Sequence, residues 1–165
     1  MENGKCSKCG EKDRADFQSV IEGFAPQRRN LIPILHALQG SMGYLTSEAM
    51  DAVARRLSIP ASDVYGTATF YTLFATNPTG RHRLLLCDTP PCHMKGSKLI
   101  RKAVEKELGI SPGETTPDES FSYGIVSCMG LCASAPAMMI DGDSYGNLTP
   151  EAIPGILAKY REEER

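Results

Sequence analysis

Six cysteines fall into three close pairs, Cys6/Cys9, Cys87/Cys92 and Cys128/Cys132. The last two pairs limit the fold more than anything else in the chain. Each follows directly on a short apolar stretch that reads as a strand. Arg83 to Cys87 precedes the C-x4-C pair, and Phe121, Tyr123 and Ile125 alternate before the C-x3-C pair. Strands of one sheet can deliver both pairs to one edge of that sheet, where four thiolates face one site. Such a donor set suits a tetrahedral zinc ion or an iron–sulfur cluster. Structural zinc mostly uses C-x2-C knuckles, whose tight turn places two sulfurs on one small ion. Wider spacings fit a larger object better, with each pair holding one iron of a two-iron cluster. Thr89, Pro90, Pro91, Gly130 and Ala133 are small or stiff, so loop backbone can approach the sulfurs and donate to them. Buried apolar cysteines, or a disulfide, fit poorly with Pro- and Gly-rich loops after two strand ends.

What paired cysteines do depends on compartment. The opening stretch MENGKCSKCGEKDR has no apolar core and no small-residue cleavage site, so no secretory signal is expected. The longest aliphatic run, Leu84 to Leu86, is far short of the roughly 18 residues a membrane span needs. The expectation is a cytoplasmic protein with no direct membrane insertion, peripheral to the cytoplasmic membrane only through a complex. Cysteine pairs in that setting are metal ligands or redox centres more often than disulfides. Twenty acidic and 18 basic residues leave a net charge of -2, which gives no electrostatic claim on nucleic acid or anionic lipid. No GxGxxG fingerprint and no P-loop is present, so nicotinamide and flavin are expected on another chain.

The first half reads as helix. Phe17, Val20, Ile21 and Phe24 share a helical period, as do Leu31, Ile34, Leu35 and Leu38, with Gly40 and Gly43 ending the second segment. Thr46 or Ser47 offers a cap to a third helix faced by Met50, Val53, Ala54 and Leu57. A fourth segment spans Ser62 to Phe74, and Asn77-Pro78-Thr79-Gly80 is a turn cluster and boundary. Beyond it the order is strand, helix, strand, strand, strand, helix. The first helix there is Ser97 to Leu108, capped by Gly109. Asp141-Gly142 is a hairpin signal after the apolar run Ala137 to Ile140. Thr149-Pro150-Glu151 begins the last helix, in which Pro154 would remove a hydrogen bond from the second turn. The fold class is α/β (α+β).

Several segments carry a resemblance: LIPILHALQGSMGYL (31–45), IPASDVYGTATFYTLF (59–74), CDTPPCHMKGS (87–97), PGETTPD (112–118) and CMGLCASAPAMMI (128–140). With about 36 positions between Cys92 and Cys128, the chain resembles the thioredoxin-like [2Fe-2S] ferredoxins. The closer likeness is to the E-subunit family of NADH dehydrogenase (complex I), with relatives in NAD(P)-linked hydrogenases and formate dehydrogenases. The resemblance implies a small N-terminal helical bundle (15–79) followed by a thioredoxin-like domain (80–165), with residues 1–14 a flexible extension. It implies one [2Fe-2S] cluster per chain, held by Cys87, Cys92, Cys128 and Cys132. It also implies a cis-proline at Pro136. FMN and NAD(P)H would then sit on a flavin-containing, NAD(P)H-oxidising partner subunit, and this chain would not be catalytic alone. An isolated homodimer is compatible with the same likeness. The competing class is a thioredoxin-fold dithiol/disulfide protein or a zinc-stabilised binding module. The C-x4-C and C-x3-C spacings count against dithiol exchange, whose motif is C-x-x-C.

The remaining features read as ordinary. Cys6 and Cys9 make half a zinc ribbon, which two thiolates cannot complete, so a tail or a reversible disulfide is expected. His93 reads as an exposed polar residue, and His36 and His82 show no partner in the sequence. Met138 and Met139 read as strand core. Helical packing explains the spacing of Tyr65, Phe70 and Tyr71 as well as a partner surface does.

Overall fold

The computed structural model describes residues 12–162, and the chain divides between Pro78 and Thr79 into two units. Cys6 and Cys9 lie outside the described residues. Among those residues no helix is long and apolar enough to cross a membrane.

The first unit holds α1 (Lys12–Glu22), α2 (Leu31–Met42), α3 (Ser47–Leu57) and α4 (Ala61–Phe70). Thr46 caps α3, its hydroxyl accepting the Ala49 N–H at 3.1 Å. Glu48 in the first turn and Arg55 and Arg56 in the last complement the helix dipole. Ile34, Leu35, Leu38, Val53 and Val64 are fully buried between the helices. Each such side chain contributes about 1.5–3 kcal/mol by leaving water. The exposed Arg28–Asp63 pair at 2.9 Å adds about 0–1 kcal/mol, so apolar packing holds this unit together.

The helix expected to reach Phe74 stops at Phe70. Near that end, the Thr67 and Thr69 hydroxyls donate back to the carbonyls of Asp63 and Tyr65, a local competition that loosens a helix. Tyr71 turns extended. Gln39 then clamps the outgoing chain: its amide donates to Leu73 O at 2.8 Å and its carbonyl accepts the Ala75 N–H at 2.6 Å. Phe24 likewise lies just past α1 but still packs against the core.

The second unit runs β1 (His82–Cys87), α5 (Pro90–Met94), α6 (Ser97–Leu108), β2 (Phe121–Val126), β3 (Met138–Ile140), β4 (Asp143–Tyr145) and α7 (Ala152–Glu162). The sheet order is β2-β1-β3-β4. β1 pairs in parallel with β2 and antiparallel with β3, and β3 pairs antiparallel with β4. Leu84, Leu85, Leu86 and Cys87 are all buried, which is why this central strand reads as an unbroken apolar run. Leu84, Leu86, Phe121, Tyr123, Met138 and Ile140 form one core with Ile100 and Val104 of α6 and Ile153 and Leu157 of α7. Met138 is fully buried, whereas Met139 is half-buried. The hairpin turn forms as expected, with positive φ at both Asp141 and Gly142.

Two elements differ from the expected order. A one-turn helix, α5, stands where only a loop was read. The last helix starts at Ala152 rather than Pro150, so Pro154 is its third residue. In the first turn no N–H is required, and the proline costs no hydrogen bond. At its far end α7 is tied to the hairpin: the Tyr160 hydroxyl donates to Asp143 at 3.0 Å and meets the Tyr145 hydroxyl at 2.8 Å.

Candidate metal centre

The register Cys87↔Val126 places the ends of β1 and β2 side by side. The Asp88 N–H then reaches Val126 O at 3.1 Å. Both cysteine pairs therefore leave the same end of the sheet. Cys87 is the last residue of the central strand, its N–H bonded to Ala137 O at 3.1 Å. Three residues later Pro90 and Pro91 open α5, where missing N–H groups cost nothing. Cys92 is the next residue and is carried inward on that turn. Cys87 is 3% exposed and Cys92 1%.

The second pair hangs from β2, an edge strand. Cys128 and Cys132 are exposed, and Cys132 opens a 3-10 turn, Cys132–Ser134. Gly130, at φ 79°, takes a left-handed conformation that most residues avoid. That conformation turns its N–H onto Cys128 Sγ at 3.3 Å. The two sulfurs are 3.9 Å apart. The following Ala135–Pro136 bond is cis, as the resemblance implied. Gly146 packs against this loop: a Cβ there would lie 2.5 Å from Ser134 Cβ and 2.8 Å from Ser134 O.

The four thiols differ electrostatically. Burial works to raise the Cys87 pKa, but hydrogen bonds from the Thr89 hydroxyl, Cys92 and the backbone of Met129 and Thr89 together pull it below the usual thiol range. Burial pushes Cys92 up, and its hydrogen bond with Cys87 adds to that. The hydrogen bond with Cys128 pushes Cys132 up, followed by the charge on Cys128, with a smaller push from Cys87. Cys87 Sγ lies 3.4 Å from the carbonyl of Ser127, the residue before Cys128, so the two pairs are neighbours.

A metal held by two thiolates at about 2.3 Å in tetrahedral geometry sets its sulfurs ~3.8 Å apart. The Cys128–Cys132 separation matches this spacing. Among the described residues, no group of three or more His, Cys, Asp or Glu side chains is gathered closely enough for one metal ion. The thiols are arranged two by two. Thiolates without a carboxylate are a soft donor set, suited to iron–sulfur clusters or zinc, and the Gly130 backbone N–H reaches the Cys128 sulfur.

The four cysteines read from the sequence thus lie at one sheet end. His93 does not turn to a sulfur; its Nε2 pairs with Asp88 Oδ1. His82 pairs through Nδ1 with Asp141 at 2.6 Å, and His36 packs edge-on against Phe74 with ring centroids 5.2 Å apart. Partners for all three histidines escaped the sequence reading. So did the Thr89 hydroxyl on sulfur, because a threonine in a Pro-rich loop reads only as a small residue beside the ligand.

A family profile described as thioredoxin-like [2Fe-2S] ferredoxin matches residues 17–161. The E subunit of NADH-quinone oxidoreductase from Escherichia coli (strain K12) is 40% identical over 149 residues, covering 90% of each chain. NADP-reducing hydrogenase subunit HndA of Solidesulfovibrio fructosivorans is 36% identical over 171 residues, covering 97% of this chain and 100% of that one. Among solved structures, NAD+-reducing [NiFe]-hydrogenase in the H2-reduced state superposes with a TM-score of 0.69 at 26% identity. That match covers 84% of this chain and 23% of the hydrogenase chain, so the present chain spans about a quarter of it.

Proposed function

Because the chain belongs to the thioredoxin-like [2Fe-2S] ferredoxin family, we propose that it is the electron-transfer subunit of an NAD(P)H-linked oxidoreductase complex. One [2Fe-2S] cluster per chain would be held by Cys87 and Cys92 on one side and by Cys128 and Cys132 on the other. The observation that carries this reading is the two-by-two arrangement of thiols at one sheet end, with the exposed sulfurs 3.9 Å apart. When bound, such a cluster supplies reversible one-electron chemistry.

The chain's own residues supply the setting. Cys87 and Cys92 are closed off from water, which sharpens every charge interaction around them. The backbone N–H of Gly130 points at Cys128 and offsets negative charge on sulfur. Cys128 and Cys132 stand at the surface, within reach of a docked partner. No nucleotide-binding fingerprint lies in the sequence, and the relatives named above are subunits of NADH-quinone oxidoreductase and of an NADP-reducing hydrogenase. The electron partner is accordingly a flavin-bearing subunit that oxidises NAD(P)H.

Native purification under anaerobic conditions tests this. The expected result is a complex containing flavin, in which adding NADH or NADPH bleaches the visible absorption of this chain. A flavin-free partner, or absorption unmoved by either nucleotide, would contradict the assignment.

A further inference from the structure

Thr89 stands at the N-cap of α5 in the extended backbone conformation of a capping residue, at φ −113° and ψ 161°, yet its hydroxyl caps nothing. An N-cap threonine ordinarily accepts from the N–H of the second or third helical residue. Here the second is Pro91, which has no N–H. The hydroxyl lies instead 3.3 Å from Cys87 Sγ. The side chain thus addresses the buried sulfur at the end of β1.

Its placement is fixed in advance. A residue before proline is confined to extended backbone, so Pro90 holds Thr89 at the angle that points the hydroxyl back along the chain. A sulfur bound to metal carries no proton, and the hydroxyl can then act only as donor. Reduction adds negative charge to the site, and a donor to a ligand sulfur favours the more negative state.

We propose that Thr89 is a positioning residue that raises the reduction potential of the site by donating its hydroxyl hydrogen to the sulfur of Cys87. This inference rests on the cluster reading above. It goes further by naming the side chain that tunes the centre.

The test uses the full-length chain loaded anaerobically, as wild type, Thr89→Val and Thr89→Ser, each titrated by spectroelectrochemistry. Thr89→Val keeps the branched shape and removes the donor. It should shift the oxidised-to-reduced ratio at fixed solution potential about tenfold towards oxidised, which is a potential lower by about 59 mV for one electron. Thr89→Ser should stay within about twofold of wild type. Since the hydroxyl makes no capping bond, Thr89→Val should leave helicity and the melting temperature unchanged. Should that variant not load, Thr89→Ala is titrated in its place and is held to the same shift. A donor-less variant within twofold of wild type, or a serine variant displaced as far as valine, overturns the role of Thr89 alone. A wild-type chain that binds neither iron nor sulfide overturns the cluster reading and this inference with it.

Discussion

Cys87/Cys92 and Cys128/Cys132 leave adjacent, parallel strand ends, but one pair is buried and the other is at the surface. Sheet order accounts for the difference. β1 is central, flanked by β2 and β3, so Cys87 is closed in by neighbours on both sides. β2 is an edge strand, and among the described residues the loop leaving it has no strand on its outer side. Identical chemistry at equivalent strand ends thus meets two environments. The inner pair has the Thr89 hydroxyl 3.3 Å from the Cys87 sulfur. The outer pair is braced by Gly130 and by the contact between Gly146 and Ser134. A site built this way has a protected side and a side open to a partner.

Removing a ligand tests the comparison most severely. Cys92→Ala and Cys128→Ala should both abolish the native visible spectrum. Their cluster-free chains should nevertheless differ. Deleting the buried sulfur costs about 1 kcal/mol through lost packing, while the exposed substitution stays within about 0.5 kcal/mol, as read by chemical denaturation. Equal costs would mean that the two environments are alike.

Thiol chemistry sharpens the contrast next. In the chain stripped of metal by chelator, iodoacetamide should modify Cys128 and Cys132 at least about tenfold faster than Cys87 and Cys92, because buried thiols react only on opening. Mass spectrometry of tryptic peptides over time reads this directly, and uniform labelling would remove the distinction.

The mildest expected effect on the site itself, which keeps all four thiols, concerns the brace on the outer loop. Gly146→Ala places a methyl where Ser134 already stands, and the displaced backbone should cost about 1–3 kcal/mol in thermal unfolding. Faster loss of metal to chelator should accompany it. A variant as stable as wild type would show that the Ser134 loop gives way freely.

The contrast marks the limit of what the sequence showed. The pairs and the strands they follow were legible because apolar runs end in them and loop residues follow. The Asp141-Gly142 turn and the Thr46 cap were legible because their chemistry is local. Unequal burial was not, since it depends on which strand is central, and neither Leu84 nor Ile125 carries that information. α5 was hidden by its length and its two prolines. The contact between Gly146 and Ser134 joins segments with no shared pattern, and the partners of His36 and His82 lie far off in the chain. Pro154 was misread because the helix start was placed two residues early, although the proline itself fits its true position.

Iron, zinc and acid-labile sulfide content of the anaerobically purified full-length chain tests the central claim most directly. A brown protein with about two irons and two sulfides per chain is the expected result. A colourless protein holding one zinc and no sulfide would contradict it.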